Sequence, residues 1–292
     1  MQARVGTAAS AERLGAGIVA RIPARAAEFL SGQRLAVIAG VDSARAAWAS
    51  LLMGTPGFLR ARGESVLEIA ALLPPDDPLA PSLALGMPIG VLVIDLLSRR
   101  RLRVNGQAWL PGDGALCVAV EEVFWNCPKY IQSRELTALD EGGNGRSRPR
   151  SGSRLEPEQR AWVEAADTLF VASAHDGYGA DASHRGGLPG FVRVAGEHTV
   201  IFPDYVGNGM FQTLGNFLAD GRAGLLFPDF DRGRTLQLTG RASIEWEASG
   251  DRSFPGAERL VRVKVERWVE QTGVMRLVTR LIERSPHNPK SP

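Results

Sequence analysis

The feature that most restricts the fold of this sequence is a set of four short blocks that occur twice in the same order. Residues 56–60 (PGFLR) return as 189–193 (PGFVR), and residues 90–95 (GVLVID) return as 224–229 (GLLFPD), an offset of 134 from residue 90 to residue 224. Residues 102–106 (LRVNG) match 236–240 (LQLTG), and 37–39 (VIA) match 171–173 (VAS). Self-similarity at a fixed offset indicates a repeated structural unit, whereas generic strand–turn patterns would not keep both order and spacing.

The residues around these blocks predict a mainly β protein. Short apolar runs alternate with clusters of Gly, Pro and Asp, which favours a β-barrel or sandwich in each copy. Val261, Val263 and Val265 alternate with charged residues, as in a half-buried strand. The predicted strands cover residues 35–41, 66–72, 90–96, 102–104, 116–123, 168–174, 191–194, 199–202, 224–230, 236–238 and 262–269.

Four segments follow from this pattern. Residues 1–34 are predicted to form an N-terminal helical leader, with a helix over 10–30 that Pro23 kinks or breaks. Residues 35–140 form the first, degenerate copy of the module. Residues 141–154 (EGGNGRSRPRSGSR) contain no apolar residue and are predicted to be a linker or mobile loop. Residues 155–292 form the second copy, which opens with a short amphipathic helix over 156–166.

Composition excludes several classes of function. Lys and Arg total 34 against 32 Asp and Glu, a net charge of +2, which is too balanced for a nucleic-acid groove or a membrane-surface patch. Two cysteines, Cys117 and Cys127, cannot build a disulfide framework or a multi-cysteine zinc site. No apolar run approaches the length of a membrane span. We therefore expect a cytoplasmic protein with a small-molecule partner, no bound metal and no nucleic-acid or membrane partner; a homodimer is compatible with the sequence.

The densest polar clustering lies in the second copy. Residues 174–187 are predicted to form a long, Gly-rich loop in which Ser183, His184 and Arg185 are suitable donors for a phosphate or a flavin ring; the alternative is an ordinary surface hairpin. In residues 202–218, Asn208 is a suitable N-cap for a helix whose N-terminus could bind phosphate. Thr213 and Asn216 lie off the apolar stripe of that helix and are predicted to be free to reach a ligand. The alternative is a helix that merely covers the barrel mouth.

A third polar segment, residues 125–134 (WNCPKYIQSR), closes the first copy. Lys129, Tyr130, Gln132 and Arg134 could bind an anionic or planar ligand, or could form the solvated start of a helix. Cys127 is interpreted as a packed or site-lining residue, because a lone cysteine is weak evidence for a nucleophile. The sequence contains no P-loop, nucleophile elbow, zinc-protease motif or dinucleotide fingerprint.

Four stretches together resemble the pyridoxamine 5'-phosphate oxidase-related, FMN-binding split-barrel family. They are residues 172–194 (ASAHDGYGADASHRGGLPGFVRV), 202–216 (FPDYVGNGMFQTLGN), 223–242 (AGLLFPDFDRGRTLQLTGRA) and 126–134 (NCPKYIQSR). The final RLIERSPHNP is also similar to the ends of such chains. This resemblance implies tandem split β-barrels, each six-stranded in the family pattern, with FMN held in a cleft to which two barrels contribute.

The resemblance also assigns roles to residues. It implies that Asn208 and the following helix start face the phosphate, and that Thr213 and Asn216 support that loop. Gly209 stands where relatives often carry a basic side chain, so Arg185 or Arg193 would have to supply that charge. The full expected cofactor set is Ser173, Ser183, His184, Arg185, Asp204, Asn208, Thr213 and Asn216 from the second copy, with Asn126, Lys129, Tyr130 and Gln132 from the first.

The first copy has Asp76 and Asp77 where the second has the GNGMF turn, so it offers carboxylates where a phosphate needs donors. We therefore expect one intact site per chain.

The expected function is that of an FMN-binding oxidoreductase, which passes electrons from a reduced donor such as NAD(P)H to a small acceptor or to oxygen. The alternative is a non-catalytic module that binds flavin, haem or deazaflavin, and for haem His175 and His184 are the candidate axial ligands. Oxidation of pyridoxamine phosphate itself is disfavoured, because no second phosphate-binding cluster is evident. No residue is assigned as a catalytic acid or base.

Overall fold

The structure is a computed structural model, and it describes residues 1–6, 12, 15–83, 86–112, 114–138, 148–247, 253–275 and 277–289. Its helices are α1 (Gln2–Val5), α2 (Ala24–Ser31), α3 (Ala80–Leu83), α4 (Pro157–Ala165) and α5 (Gln212–Ala219). Its strands are β1 (Leu35–Val41), β2 (Ala47–Met53), β3 (Leu59–Arg62), β4 (Val66–Ile69), β5 (Met87–Asp95), β6 (Arg100–Trp109), β7 (Leu116–Asn126), β8 (Ser133–Ala138), β9 (Arg150–Gly152), β10 (Thr168–His175), β11 (Gly179–Gly186), β12 (Arg193–Ala195), β13 (Thr199–Tyr205), β14 (Arg222–Asp229), β15 (Arg234–Glu245), β16 (Ala257–Gln271) and β17 (Leu277–Glu283).

Two large antiparallel sheets have the same strand order. The first sheet runs β2-β1-β5-β6-β7-β4-β3, and the second runs β11-β10-β14-β15-β16-β13-β12 with β9 added beside β16. The mainly β prediction is confirmed. The matching orders are the topology that two copies of one module would have, and the duplication itself stays a prediction. We call α2 with the first sheet the first half, and α4 with the second sheet the second half.

Both sheets also bend at the same place. The pairing of β6 with β7 shifts register at Gly106, and the pairing of β15 with β16 shifts at Gly240. A Cβ at Gly106 would collide with the carbonyl oxygen of Ala119, and one at Gly240 with that of Lys264. The last block of the repeat (LRVNG and LQLTG) therefore ends in glycine because the two backbones approach too closely there for any side chain.

The N-terminal helix differs from the predicted leader. Helix α2 begins directly after Pro23, and part of the predicted helix, residues 10–11 and 13–14, lies outside the described residues. Phe29 of α2 is buried in the first core and lies under the guanidinium of Arg100, at 4.8 Å. Trp162 of α4 lies under Arg234 in the same way, at 4.5 Å. Helix α2 is thus the first element of the first half rather than a separate leader.

The predicted linker also contains structure, because residues 150–152 form β9 and extend the second sheet. Residues 139–147 lie outside the described residues. Strands β8 and β17, which follow the last strand of each large sheet, pair with each other in a two-stranded sheet that joins the halves. None of the described helices is long and apolar enough to cross a membrane.

The halves pack face to face through a hydrophobic cluster that is separate from the core of each half. Val37, Phe170 and Leu226 lie in this cluster between the sheets, and all are completely buried. A Cβ at Gly90 would lie 2.7 Å from the carbonyl oxygen of Ala180, and one at Gly224 would lie 2.7 Å from that of Ala47. The sheets therefore meet at two backbone contacts, each of which requires a glycine. This packing places β5 and β6 beside β11 of the other half, and the turn after β7 beside Gly186.

Candidate functional site

A cavity between the halves contains about 770 Å³ of empty space, including the part open to solvent. Its first-half wall is formed by β6, the end of β7 and the following turn. Its second-half wall is formed by β11, β13 and the segment that leads into α5. The lining residues are Arg101, Arg103, Asn126, Cys127, Lys129, Tyr130, 183–186, 203–205 and 207–213.

The Gly-rich segment of the second copy is a hairpin and not a long loop. Strands β10 and β11 pair from Thr168 with Gly186 to His175 with Gly179, which leaves only a tight turn at 176–178. This is the hairpin that the sequence left open as the alternative. Alternation along β11 places Ser183 and Arg185 on one face and His184 on the other, where its ring lies 5.7 Å from Phe170.

The charged side chains of the second-half wall are already paired. Arg185 donates from Nη1 to Oδ1 of Asp204 at 2.7 Å. Arg259 donates from Nε and Nη2 to Oδ2 of the same carboxylate at 3.0 and 2.8 Å. Arg259 also donates to the carboxylate of Glu258, so the two guanidinium groups of this cluster are balanced by two carboxylates.

Arg103, which enters from the first half, is also paired. Its Nη1 contacts both carboxylate oxygens of Asp181, at 2.9 and 3.1 Å, and donates to Gln212 Oε1 at 2.9 Å. Both charged residues are almost fully buried. Burial raises the pKa of Asp181, while the charge of Arg103 opposes that rise. The pair therefore ties β6 of the first half to β11 and α5 of the second.

Arg101 lies beside this pair without a carboxylate partner among the described residues. It donates from Nε to the carbonyl of Cys127 at 2.7 Å and from Nη1 to the carbonyl of His184 at 3.1 Å. Burial and the nearby Arg103 lower the pKa of Arg101. Lys129 also lacks a carboxylate partner in the described part of the chain. Four cations and one carboxylate line the cavity, and Asp181 pairs with Arg103 from behind the wall. The cavity therefore keeps a net positive charge, which makes it a suitable environment for an anion.

Several buried polar atoms at the cavity have no hydrogen-bond partner. They include Oδ1 of Asn126 and the Nε atoms of Arg103 and Arg185. Both ring nitrogens of His184 are also buried and unpartnered. Burial, together with the charges of Arg101 and Arg185, lowers the pKa of His184 well below 6.5, so the imidazole is neutral at neutral pH. Unsatisfied buried polar groups are costly, so those of Asn126, Arg103 and Arg185 are available to hydrogen-bond a molecule in the cavity.

Asn208 does not cap the helix, contrary to the sequence prediction. Helix α5 begins at Gln212, after Phe211 in the left-handed region at a φ of 55°. Asn208 instead accepts a hydrogen bond at Oδ1 from the backbone N–H of Met210, at 3.2 Å, which makes a local turn. The start of α5 nevertheless faces the cavity through Gln212 and Thr213.

Four residues of the predicted set, Ser173, Ser183, Thr213 and Asn216, hydrogen-bond to one another in pairs and hold this helix in place. Thr213 donates from Oγ1 to Ser183 Oγ at 3.0 Å and also contacts Asp181 at 3.2 Å. Asn216 donates from Nδ2 to Ser173 Oγ at 3.0 Å. Ser173 and Asn216 do not line the cavity. These bonds attach α5 to β10 and β11 and so fix where its N-terminus points.

The turn after β7 reaches the cavity mouth. The ring of Tyr130 lies 5.0 Å from the ring of Tyr205, and its hydroxyl donates to the carbonyl of Val206 at 2.9 Å. Burial raises the pKa of Tyr205 to about 12 and also raises the pKa of Tyr130. Both phenols therefore stay protonated at neutral pH. Gln132 is completely buried behind this turn and does not line the cavity.

The structure brings most of the predicted residues together, and it places others elsewhere. Arg193 stacks on Phe254 at 5.2 Å, away from the cavity, so it does not replace the missing charge at Gly209. Arg134 pairs with Asp167 and also lies outside the cavity. The cavity-lining members of the predicted set are Asn126, Lys129, Tyr130, Ser183, His184, Arg185, Asp204, Asn208 and Thr213.

Arg101 and Arg103 line the cavity although they are not in the predicted set. An apolar–basic alternation in the sequence of β6 could have identified them. In β6 they alternate with Leu102 and Val104, which are buried in the first core. An apolar–basic alternation on a strand places two cations on the face that points away from its own core. That face meets the second half, and the sequence alone does not show this.

The matching strand orders define a second position equivalent to the cavity, with β15 and β16 in place of β6 and β7 and β2 in place of β11. This position is closed. Strand register places Thr235, Gln237, Gln271, Leu51 and Met53 where the cavity has Arg101, Arg103, Asn126, Ser183 and Arg185. No charged residue is kept in this set. Asp77 fills the position instead, and its carboxylate accepts from Ser50 Oγ at 2.7 Å and from Gln237 Nε2 at 3.1 Å. This arrangement supports the expectation of one site per chain, which stays a prediction.

Comparison with known proteins identifies the second half. Residues 155–285 match the family model described as Pyridoxamine 5'-phosphate oxidase. No curated protein matches the chain.

Solved structures with some similarity include HupZ of Group A Streptococcus, which is 16% identical with a TM-score of 0.30 and covers 45% of this chain and 98% of its own. A putative pyridoxamine 5'-phosphate oxidase of Lactobacillus delbrueckii is 14% identical with a TM-score of 0.32, covering 39% and 93%. An FAD-binding protein of Mycobacterium smegmatis is 13% identical with a TM-score of 0.29, covering 41% and 98%. The family match confirms, for residues 155–285, the resemblance to the pyridoxamine 5'-phosphate oxidase-related split-barrel family that was found in the sequence.

Proposed function

We propose that this protein is an FMN-binding oxidoreductase that passes electrons from a reduced donor such as NAD(P)H to a small acceptor or to oxygen. The observation that carries the proposal is the cavity between the halves, in which four cations and one carboxylate surround buried polar atoms that lack partners. An anionic ligand with a polar ring edge would satisfy both the charge and the open hydrogen bonds. FMN has both features.

The residues present fit such a ligand. The first turn of α5 offers backbone N–H groups and the positive end of the helix dipole, and Arg185 lies beside it, so this end of the cavity suits the phosphate. Asn126 and the face of β11 around Ser183 offer polar groups for the ring edge. Arg101 and Arg103, which the sequence reasoning did not include, supply the charge that Gly209 does not.

Bound FMN would supply the redox chemistry, because it accepts and donates electrons in one- or two-electron steps. The role of this chain is to hold and surround it. The pairs between Arg185 and Asp204 and between Arg103 and Asp181 preorganise the charged walls before any ligand enters. The neutral imidazole of His184 adds no charge behind β11. Tyr130 and Tyr205 cover part of the mouth and limit access of water.

The proposal is tested by titrating the purified protein with FMN and following absorbance and flavin fluorescence. We expect saturable binding with one FMN per chain. Arg185→Ala should weaken binding by about tenfold to a hundredfold, since a charge-assisted hydrogen bond is lost. Arg193→Ala is the matched control, because this arginine stacks on Phe254 outside the cavity. The absence of FMN binding by the native protein would reject the proposal.

A second measurement separates an oxidoreductase from a module that only binds flavin. Reduced nicotinamide added to the FMN-loaded protein without oxygen should bleach the flavin absorbance, and admitted oxygen should restore it. A loaded protein that no nicotinamide donor bleaches would instead support the non-catalytic alternative. The same titration with a deazaflavin or haem in place of FMN distinguishes the ligands.

A further inference from the structure

The first-half wall of the cavity is held by the far C-terminal end of the chain. The turn that presents Lys129 and Tyr130 contacts residues 285–288, which we call the C-terminal strap. The backbone N–H of Tyr130 donates to Ser285 Oγ at 3.2 Å. No residue of the strap lines the cavity.

Gln132 connects the turn to the strap. Its side chain is completely buried, and the two N–H groups of its Nε2 are shared among three acceptors: the carbonyl oxygens of Tyr130 at 3.2 Å and Gly187 at 3.1 Å, and the side chain of Asn288. Its Oε1 accepts from the backbone N–H of Ser285 at 2.9 Å. One amide therefore joins the turn, the segment after β11 and the strap.

The contact with Asn288 is reciprocal. Gln132 Nε2 donates to Asn288 Oδ1 at 3.2 Å, and Asn288 Nδ2 donates back to Gln132 Oε1 at 3.1 Å. Two amides that face each other in this way satisfy a donor and an acceptor on each side. Only a side chain that both donates and accepts can replace either member without loss.

The turn itself is in an unfavourable backbone conformation. Tyr130 has a φ of 66°, which is uncommon for a residue with a side chain and persists only where the surroundings enforce it. Its carbonyl also lies so close to Gly186 that a Cβ there would collide with it. The turn is therefore held against β11 by its surroundings rather than by its own preference.

From these contacts we infer that Gln132 and Asn288 are positioning residues: their amide pair locks the C-terminal strap against the Tyr130 turn and so sets the first-half wall of the ligand site. The inference rests on the proposed function for the identity of the ligand. It predicts that the strap controls ligand affinity without touching the ligand. Gln132 acts from behind the wall and does not contact the cofactor as the family resemblance implied.

The first test needs no ligand. In Asn288→Ala, backbone amides of residues 129–133 should exchange hydrogen for deuterium faster than in the native protein, while amides of β14 and β15 exchange at the native rate. The exposed Arg280→Ala change on β17 is the matched control and should leave residues 129–133 unchanged. Native exchange at 129–133 in Asn288→Ala would overturn the inference, whether or not the protein binds FMN.

The second test reads the ligand site. Asn288→Ala should raise the dissociation constant for FMN about tenfold, since the loss of two hydrogen bonds leaves Gln132 partly unsatisfied. Asn288→Asp should bind FMN as the native protein does while the introduced carboxyl is protonated and can donate to Gln132 Oε1, and should lose affinity as it ionises. The ratio of variant to native FMN affinity at each pH isolates the ionisation of the introduced carboxyl, because the FMN phosphate titrates in the same way with both proteins.

The outcomes are distinct. If the strap only stabilises the fold, the Asn288 variants should melt at a lower temperature, but Asn288→Asp should show no pH-dependent loss of FMN affinity relative to the native protein. That result would refute the positioning role. Faster exchange at 129–133 with unchanged FMN affinity would refute it too. A native protein that binds no FMN would instead reject the proposed function, and the exchange measurement would still decide whether the strap holds the turn.

Discussion

The buried carboxylate at the closed position should make the stability of this protein depend on pH. Asp77 is 5% exposed and accepts hydrogen bonds from Ser50, from the backbone N–H of Leu79 and from Gln237. Burial outweighs these bonds and raises the pKa of Asp77 from 3.8 to about 6. The folded protein thus keeps this proton to a higher pH than the unfolded chain does.

The sign and size of the effect follow from proton linkage. Between pH 4 and 6 the folded state binds more protons at this site than the unfolded state, so the free energy of unfolding falls as the pH rises. The stabilisation is fully present below pH 4 and is lost as the pH passes 6. At roughly 1.4 kcal/mol for each pH unit between the two pKa values, the loss is about 3 kcal/mol.

Asp77→Asn removes this titration, because an amide keeps a polar group in place without a proton to lose. Urea unfolding followed by tryptophan fluorescence at pH 4, 5, 6 and 7 gives the free energy of unfolding of both proteins. Relative to the variant, the native protein should lose about 2–3 kcal/mol between pH 4 and 7. Asp76→Asn, which removes the exposed neighbouring carboxylate, controls for the change in net charge. A native-to-variant difference that is constant with pH, or that grows in favour of the native protein, would refute the reasoning.

Two further predictions concern packing between the halves. Gly224→Ala should destabilise the protein by about 1–3 kcal/mol, because its Cβ would lie 2.7 Å from the carbonyl oxygen of Ala47. Gly215→Ala in α5, where no atom lies within 4 Å of the added Cβ, should be neutral or stabilising by up to about 1 kcal/mol. Thermal unfolding compares the two variants, and equal effects on stability would contradict the packing argument. Arg103→Met should lower the free energy of unfolding in urea by about 3–5 kcal/mol, because it leaves Asp181 buried without its cation. The double change Arg103→Met with Asp181→Leu should recover most of that stability. A double variant as unstable as the single one would show that the ion pair is not the cause.

Local patterns in the sequence predicted much of the architecture. Three of the four repeated blocks fall on equivalent strands of the two sheets, and the fourth falls on the turns that lead into β3 and β12. The apolar alternation of residues 261–265 lies in β16 as expected. The polar segments 126–134 and 183–185 meet in one cavity. Strand β11 was missed because its glycines and polar residues resemble a loop, and only pairing with β10 makes it a strand.

The helix start at the cavity was also placed wrongly, for a physical reason. Asn208 has the side chain of an N-cap, but the same oxygen can close a local turn, and in this chain it bonds to Met210. Sequence preference does not distinguish the two uses. The choice depends on where α5 is attached, and that is decided by Thr213 and Asn216 bonding to the second sheet.

The sequence by itself determined the mainly β class and the family resemblance of the second half, and it predicts a repeated module, since these depend on short-range patterns of apolar, polar and glycine residues. Tertiary structure alone decided which cations in the cavity are neutralised and which side chains support it from behind. Arg103 meets Asp181 across 78 positions of the chain, and Gln132 meets Asn288 across 156. Such contacts exist only once the two halves have packed against each other, because their energy comes from groups brought together by the fold.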